Sequence, residues 1–238
     1  MAITNTPVSF QNFPARYDWS VDRYDFLRQE EIGQFDWNCV GHTAPLAVNG
    51  VDGGSITLGS GSANAQDYVQ MQKSSFTLQP NRAGKLYEFI WDGIGLSDKA
   101  NTSALLGVCV PQTNLMGANL VNGVGFYCNQ NGGPGTGNWY AFVANNASAQ
   151  FSGYSQQLLL PTDANTHTMS IRWQTDQNLI GGGTLTWFID GVDVYQLSSS
   201  GAAIFPVANV MSLSAAMGNL TGAAQTLIMD EISSLGQR

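Results

Sequence analysis

The sequence predicts an all-β chain in which two antiparallel sheets pack into a jelly-roll sandwich behind an N-terminal arm. Three observations predict it. Apolar runs are short and end at Gly, Asn or Pro, as strands do when a turn follows every few residues. Asp190-Gly191 joins two such runs by a two-residue step, and type I′ hairpin turns need the positive φ that these residues tolerate. From Ala100 to Thr162 there is no Lys, Arg, Asp or Glu, yet Asn, Gln, Ser, Thr and Gly interrupt every apolar run far short of bilayer thickness.

The arm comes first, with residues 1–32 set apart from a sandwich domain over 33–238. Arg16, Asp18, Asp22, Arg23, Asp25, Arg28, Glu30 and Glu31 alternate there with Phe10, Phe13, Tyr17, Trp19, Tyr24 and Phe26. Aromatic side chains at that density are not left in water without a reason. Pro7 and Pro14 favour an extended path, and Tyr24–Ile32 reads as a short helix. Phe10, Phe13, Tyr17 and Trp19 are the expected anchors of an arm that docks on its own body or on a neighbour.

Strand follows turn from Gly33 onward. Ser55–Leu58 comes after the Asp52-Gly53-Gly54 turn, and Tyr68–Gln72 sets Tyr68, Gln70 and Gln72 on one face against Val69 and Met71 on the other. Leu86–Trp91 alternates around Glu88. Ala104–Val110, Gly123–Asn129 and Trp139–Ala144 are the strands of the uncharged stretch. His167–Gln174, Thr184–Asp190, Val192–Leu197, Met211–Met217 and Thr226–Ile232 complete the set. Leu86–Trp91, His167–Gln174 and Thr184–Ile189 are expected to be central, with Phe89, Ile171, Trp173 and Trp187 in the core. Gly181-Gly182-Gly183 precedes a strand rather than a helix, which removes a phosphate cradle.

Composition narrows the function. A hydrophobic content of 43% with six Trp supports a real core. A formal net charge of −8, with Lys only at 73, 85 and 99, argues against nucleic acid. Cys39, Cys109 and Cys128 contain no CxxC and read as buried thiols of a protein made in a reducing cytosol. The first residues lack the basic and apolar regions of a secretory signal, and no apolar segment is long enough to span a membrane. Without a signal, the sequons at Asn101, Asn146 and Asn219 read as coincidence.

No catalytic constellation stands out, and the chain reads as a non-enzyme. Retaining glycosidases need two carboxyl groups at nucleophile and acid distance, whereas Asp190 and Asp193 straddle a turn and Asp230-Glu231 point to opposite faces of a strand. His42 and His167 have no adjacent Ser, Cys or paired His. Asp52, Asp92, Asp98 and Asp163 lie in loop-like contexts without the spacing of a calcium loop, so no metal or cofactor is expected. The best local sugar contact is Asn138-Trp139-Tyr140, although Trp139 opens a strand and packing is its more ordinary use.

Several segments follow one another in a familiar order. They are Gly53-Gly54-Ser55-Ile56-Thr57-Leu58, Asn64–Gln72, Gly84–Phe89, Leu96–Val108, Asn122–Tyr127, Trp187–Val192 and the closing Ile228–Ile232. That order, over about Gly33 to Leu235, resembles the concanavalin A-like (laminin-G-like) jelly-roll proteins that tailed bacteriophages encode among their virion genes. Met1–Phe26 matches no part of the pattern. The resemblance implies a non-enzymatic capsid decoration, or cement, protein that stabilises the outer head surface. Its partners would be the major capsid protein and neighbouring copies of itself, as a homo-oligomer on the particle. It would be made in the host cytoplasm and end on the virion. The alternative is a carbohydrate-binding, receptor-recognising module of a head fibre or tail, with a surface glycan as partner.

Overall fold

The structure, a computed structural model, describes residues 19–26, 33–40, 47–50, 53–59, 68–74, 82–96, 102–116, 120, 122–128, 138–145, 154–161, 165–199, 204–206, 210–219 and 224–237. The first strands are β1 (Trp19–Tyr24), β2 (Phe35–Val40), β3 (Ala47–Gly50), β4 (Gly53–Gly59), β5 (Tyr68–Lys73), β6 (Leu86–Leu96), β7 (Thr102–Cys109) and β8 (Gly123–Cys128). They continue with β9 (Asn138–Ala144), β10 (Tyr154–Pro161), β11 (His167–Thr175), β12 (Gly183–Ile189), β13 (Val192–Ser199), β14 (Ser212–Asn219), β15 (Thr226–Met229) and β16 (Glu231–Gln237). Every pairing among them is antiparallel, and no described residue is helical.

One sheet has nine strands in the order β13-β12-β11-β6-β15-β4-β3, with β16 and then β1 branching from β6. The other has seven, in the order β10-β9-β8-β7-β14-β5-β2. Between them lies the core, where Phe89, Trp91, Ile171, Trp173 and Trp187 of the first sheet meet Val69, Leu106, Phe126, Trp139 and Leu213 of the second. The Trp187 indole N–H donates across the interior to the Gly125 carbonyl at 2.9 Å. The expected core aromatics are therefore in place, and β6, β11 and β12 are interior strands.

The hairpin at Asp190-Gly191 forms as its sequence requires, with φ of 52° and 76°. The expected strand Thr226–Ile232 is instead two, broken at Asp230. β15 pairs with Gly95 and Leu96 and β16 with Tyr87 to Asp92, so both line the same edge of β6. The break faces Gly93, whose φ is 66°, and the Asp230 carboxyl fills the space a Cβ would take there. A side chain at residue 93 would have to displace that carboxyl.

The beginning of the chain differs from expectation. Tyr24 ends a strand rather than starting a helix, and residues 27–32 lie outside the described residues. β1 pairs with β16 from Trp19↔Gln237 to Tyr24↔Ile232, so the sandwich already includes residue 19. Phe26 is fully buried, and Tyr24 meets the Phe35 ring edge-on with centroids 5.0 Å apart. Its charges disguised this strand: Asp22 and Arg23 are used for pairing rather than for solvation. Lys73 of β5, only 5% exposed, reaches Asp22 at 2.9 Å and lies 4.8 Å from the Tyr24 ring centroid. Arg23 pairs with Glu231 of β16 at 2.8 Å. The anchors Phe10, Phe13 and Tyr17 lie outside the described residues, as does the Trp19 side chain.

Asp22→Ala should leave the Lys73 ammonium buried without its carboxylate. Breaking a buried pair costs roughly 3–5 kcal/mol, and the half-exposed Asp22 brings this down to about 2 kcal/mol. Urea unfolding of wild type and variant at neutral pH checks it; an unchanged midpoint would mean β1 is not held by this pair.

Candidate functional site

Strands β7, β8 and β9 are apolar on both faces. Ala104, Leu106 and Val108 of β7 point into the core, while Leu105 and Cys109 belong to a second cluster on the outer face of the seven-stranded sheet. That cluster is built on Tyr127, Tyr140 and Phe142 with Leu105, Ala144 and Ala216. The Tyr127 and Tyr140 rings stack with centroids 5.0 Å apart and planes 19° off parallel. Phe142 meets Tyr127 edge-on at 5.9 Å and packs over Gly125, where a Cβ would run into its ring and the Leu106 carbonyl; at the paired Gly107 a Cβ would run into the Val124 carbonyl.

Across β7 and β14 from this aromatic floor, on β2 and β5, lies a row of amides from Asn38, Gln70 and Gln72, with Tyr68 at its end. They grip a strap that runs from Val110 to Met116 and returns through Leu120 and Asn122. Gln70 donates to the Gln112 carbonyl at 2.7 Å and accepts from the Leu115 amide at 2.7 Å. Gln72 accepts from the Gln112 amide at 2.9 Å and donates to the Val110 carbonyl at 3.4 Å and the Ser214 hydroxyl at 3.0 Å. Asn38 and the Tyr68 hydroxyl both donate to the Thr113 carbonyl, the latter at 3.1 Å. The base of the strap is pinned where the Val110 amide donates to the Asn122 carbonyl at 3.0 Å. Leu115 and Leu120 are fully buried in the aromatic cluster. Burying each is worth about 1.5–3 kcal/mol, and each net hydrogen bond adds about 1 kcal/mol. The strap is closed over the cluster.

The sugar contact expected at Asn138-Trp139-Tyr140 is divided by this arrangement. Trp139 is 2% exposed and faces the core between the sheets. Tyr140 points the other way and, 4% exposed, lies in the cluster beneath the strap. Asn138 is half-buried at the start of β9. Successive strand residues face opposite sides, so these three cannot form one platform. Alternation of Tyr68, Gln70 and Gln72 against Val69 and Met71 did mark the amide row; nothing in the sequence marked that Tyr127 and Phe142 would join Tyr140.

A second cluster gathers at the end of the nine-stranded sheet from four distant segments. His167 Nδ1 lies 2.7 Å from the Asp190 carboxylate, which also accepts from the Thr168 amide at 2.9 Å. The Thr168 hydroxyl donates to Asp92, and the Asp230 amide donates to the Asp92 carbonyl at 2.9 Å. His167, which the sequence left without a partner, thus clamps the β12–β13 hairpin to the start of β11. Desolvation, with the neighbouring Asp92 charge adding to it, raises the Asp230 carboxyl above its usual range. Among the described residues no group of three His, Cys, Asp or Glu side chains could hold a metal ion. Asp52, Asp98, Asp163 and His42 lie outside them. Glu88 is on the outer face of the same sheet, bound to Arg172 at 3.3 Å. Burial raises its carboxyl and the Arg172 charge opposes the rise. Cys109 and Cys128 are buried on opposite faces of β7 and β8, and burial pushes the Cys128 thiol up to about 12.

No protein-family model matches the chain, and no curated protein is similar to it in sequence. Solved structures share its architecture. Peanut lectin, in complex with a nine-residue peptide, matches with a TM-score of 0.60 at 9% identity, over 92% of this chain and 97% of the lectin. The potassium-bound carbohydrate recognition domain of Emp46p matches with a TM-score of 0.57 at 9% identity, over 89% and 94%. The endo-1,3-β-glucanase from Streptomyces sioyaensis matches with a TM-score of 0.57 at 12% identity, over 92% and 97%. The chain has the lectin-type, concanavalin A-like jelly-roll fold. Lectins and a hydrolase both carry it, so the fold does not choose between binding and catalysis.

Because the folded-state pKa of Asp230 is raised, the native chain holds that proton more tightly than the unfolded chain. Its contribution to stability is present at low pH and is lost as pH rises through the folded pKa. Asp230→Asn should therefore unfold at higher urea than wild type at pH 7 and at the same urea near pH 3. A variant less stable than wild type at pH 7 would show that the Asp230 charge is used, not tolerated.

Proposed function

We propose that the protein is a non-catalytic, carbohydrate-recognising module that takes a glycan on the outer face of its seven-stranded sheet. The observation that carries this reading is that one face holds the stacked Tyr127–Tyr140 pair and, across Leu105 and Ala216 from it, the Asn38–Gln70–Gln72 row. A sugar offers apolar C–H faces and hydroxyls that both donate and accept. An aromatic floor takes the first and side-chain amides take the second. The architecture shared with the Emp46p carbohydrate recognition domain supports the reading. The strap must lift for a ligand to enter, which lowers apparent affinity by the fraction of open chains.

Isothermal titration with neutral oligosaccharides tests it. Binding by wild type should weaken about tenfold or more in Tyr140→Ala, a loss of one good stacking contact worth about 1.4 kcal/mol, and stay unchanged in Asp193→Asn on the exposed strand β13. No reducing ends should be released from any bound oligosaccharide. Absence of binding at millimolar sugar in wild type and in strap-loosened variants alike would defeat the reading.

A structural role on a virus particle is the second reading, and closure of the same face favours it. With the strap down, the outer face of the seven-stranded sheet is filled by the chain's own residues. The protein then offers neighbours a surface whose hydrogen-bonded contacts depend little on salt. Phe10, Phe13 and Tyr17 would supply aromatic anchors for the capsid protein or another copy. Residues 1–18 precede β1, so their removal should leave the sandwich folded while abolishing attachment to undecorated capsids at both low and high salt. Equal numbers of bound copies with and without residues 1–18 would end this reading.

A further inference from the structure

We propose that Asp92 and Asp190 are latent isoaspartate sites, and that His167 and Thr168, at the start of β11, hold both of them closed. Each of these aspartates is followed by a glycine that the fold cannot give up. Gly93 has a φ of 66° and Gly191 one of 76°, conformations that residues with a side chain rarely adopt. Gly191 completes the β12–β13 hairpin turn. Gly93 belongs to a bulge: His167 is opposite Ile94 and Met169 is opposite Trp91, so Asp92 and Gly93 of β6 together face Thr168 alone. An Asp-Gly step is a chemically weak point in a chain, because glycine leaves its own amide nitrogen unshielded. That nitrogen attacks Cγ of the preceding aspartate; the new C–N bond closes a succinimide ring while a carboxyl C–O bond breaks and water leaves. Water then reopens the ring at either carbonyl. Opening at the former backbone carbonyl routes the chain through the side chain, so isoaspartate keeps the mass of aspartate but carries an extra backbone carbon.

Two adjacent residues keep both carboxylates off that course. An ionised carboxylate only accepts, so His167 Nδ1 donates to Asp190 Oδ2 at 2.7 Å, and the Thr168 amide donates to Asp190 Oδ1 at 2.9 Å. The Thr168 hydroxyl donates to Asp92 Oδ1. Ring closure requires the carboxyl carbon to swing onto the next nitrogen, and therefore to leave these partners. Backbone bonds hold the aspartates themselves. The Asp190 amide donates to the Thr168 carbonyl at 2.8 Å, and the Asp92 carbonyl, in the same peptide plane as the Gly93 nitrogen, accepts from the Asp230 amide at 2.9 Å. Position shows why such restraint is needed. β6 lies between β11 on one edge and β15 and β16 on the other. An extra backbone carbon at Asp92 would push Ile94, Gly95 and Leu96 out of register with His167, Ile228 and Leu227. At Asp190 it would misplace β13 against β12. The Asp190 side chain is 50% exposed, so these bonds rather than burial restrain it.

The test separates the two restraints. His167→Ala removes a donor from Asp190 and Thr168→Val removes one from Asp92, while the Thr168 backbone amide stays in both. Full-length wild type and variants are held for weeks at physiological temperature and mildly acidic pH. Peptide mapping with electron-transfer fragmentation then counts isoaspartate at 92, at 190 and at the further Asp-Gly step of the sequence, Asp52-Gly53. Loss of a hydrogen bond to a charged group should let residue 190 isomerise about tenfold faster in His167→Ala than in wild type, with residue 92 unchanged. Thr168→Val should do the reverse. His167→Asn, whose side-chain amide can donate from the place of Nδ1, should return residue 190 to the wild-type rate. The inference is overturned if neither variant speeds its own site, or if His167→Asn is as fast as His167→Ala. It is equally overturned if all the Asp-Gly steps speed up together in either variant, which is what a general loosening of the fold would give. Should a variant fail to fold, wild type decides: residues 92 and 190 should isomerise about tenfold or more slower in the native protein than in urea, and equal rates would overturn the restraint.

Discussion

A sheet that is apolar on both faces must be covered on both, and much of this molecule follows from that demand. All eight residues of β7 and all six of β8 are buried, and β9 is buried from Trp139 onward. The nine-stranded sheet covers one face. On the other side, among the described residues, lies the strap between β7 and β8. The two-sided burial also accounts for the absence of charge in β7, β8 and β9. An ionised side chain on either face of these strands would enter a low-dielectric interior at a cost of several kcal/mol. Gly125 is part of the same solution, because only a residue without a Cβ lets the Phe142 ring lie this close to the backbone there.

The strap is held differently from the strands. Its peptide groups bind side chains of β2 and β5 rather than a neighbouring strand's backbone, apart from the Val110–Asn122 contact at its base. Side-chain pairing leaves the ladder of the seven-stranded sheet complete beneath the strap, since none of these bonds replaces a pairing between strands.

Much of the architecture was legible in the sequence because strand alternation and turn chemistry are local. Tyr68–Gln72, Leu86–Trp91 and the Asp190-Gly191 hairpin lie where period-two patterning and positive φ put them. β1 was not legible, because its charges read as solvated arm while Asp22 and Arg23 are used by Lys73 and Glu231 from far along the chain. The break at Asp230 depends on Gly93, more than a hundred residues away in sequence, and no local signal carries it. The site was only half legible. A run such as Trp139-Tyr140 shows that consecutive aromatics face opposite ways, but not which face is the core. Two-sided burial hides alternation altogether, since both faces of β7 to β9 are apolar. Pairing of Tyr127 with Tyr140, and of Gln70 with the strap, is a product of sheet register, which no single segment encodes.

The same segregation of charge bears on catalysis. Hydrolysis of a glycoside by the usual route needs two carboxyl groups flanking the bond, about 5–10 Å apart. The aromatic floor that could hold a sugar lies on the seven-stranded sheet, whose strands carry just two charged residues, Asp36 and Lys73. Lys73 is committed to Asp22, so one carboxylate is available to those strands, that of the exposed Asp36 on edge strand β2. The other described carboxylates that approach one another, Asp92, Asp190 and Asp230, sit at the end of the nine-stranded sheet, away from that floor. Glu88 is on the far face, engaged with Arg172. Among the described residues, then, the aromatic cluster and the acids that approach one another lie on different sheets.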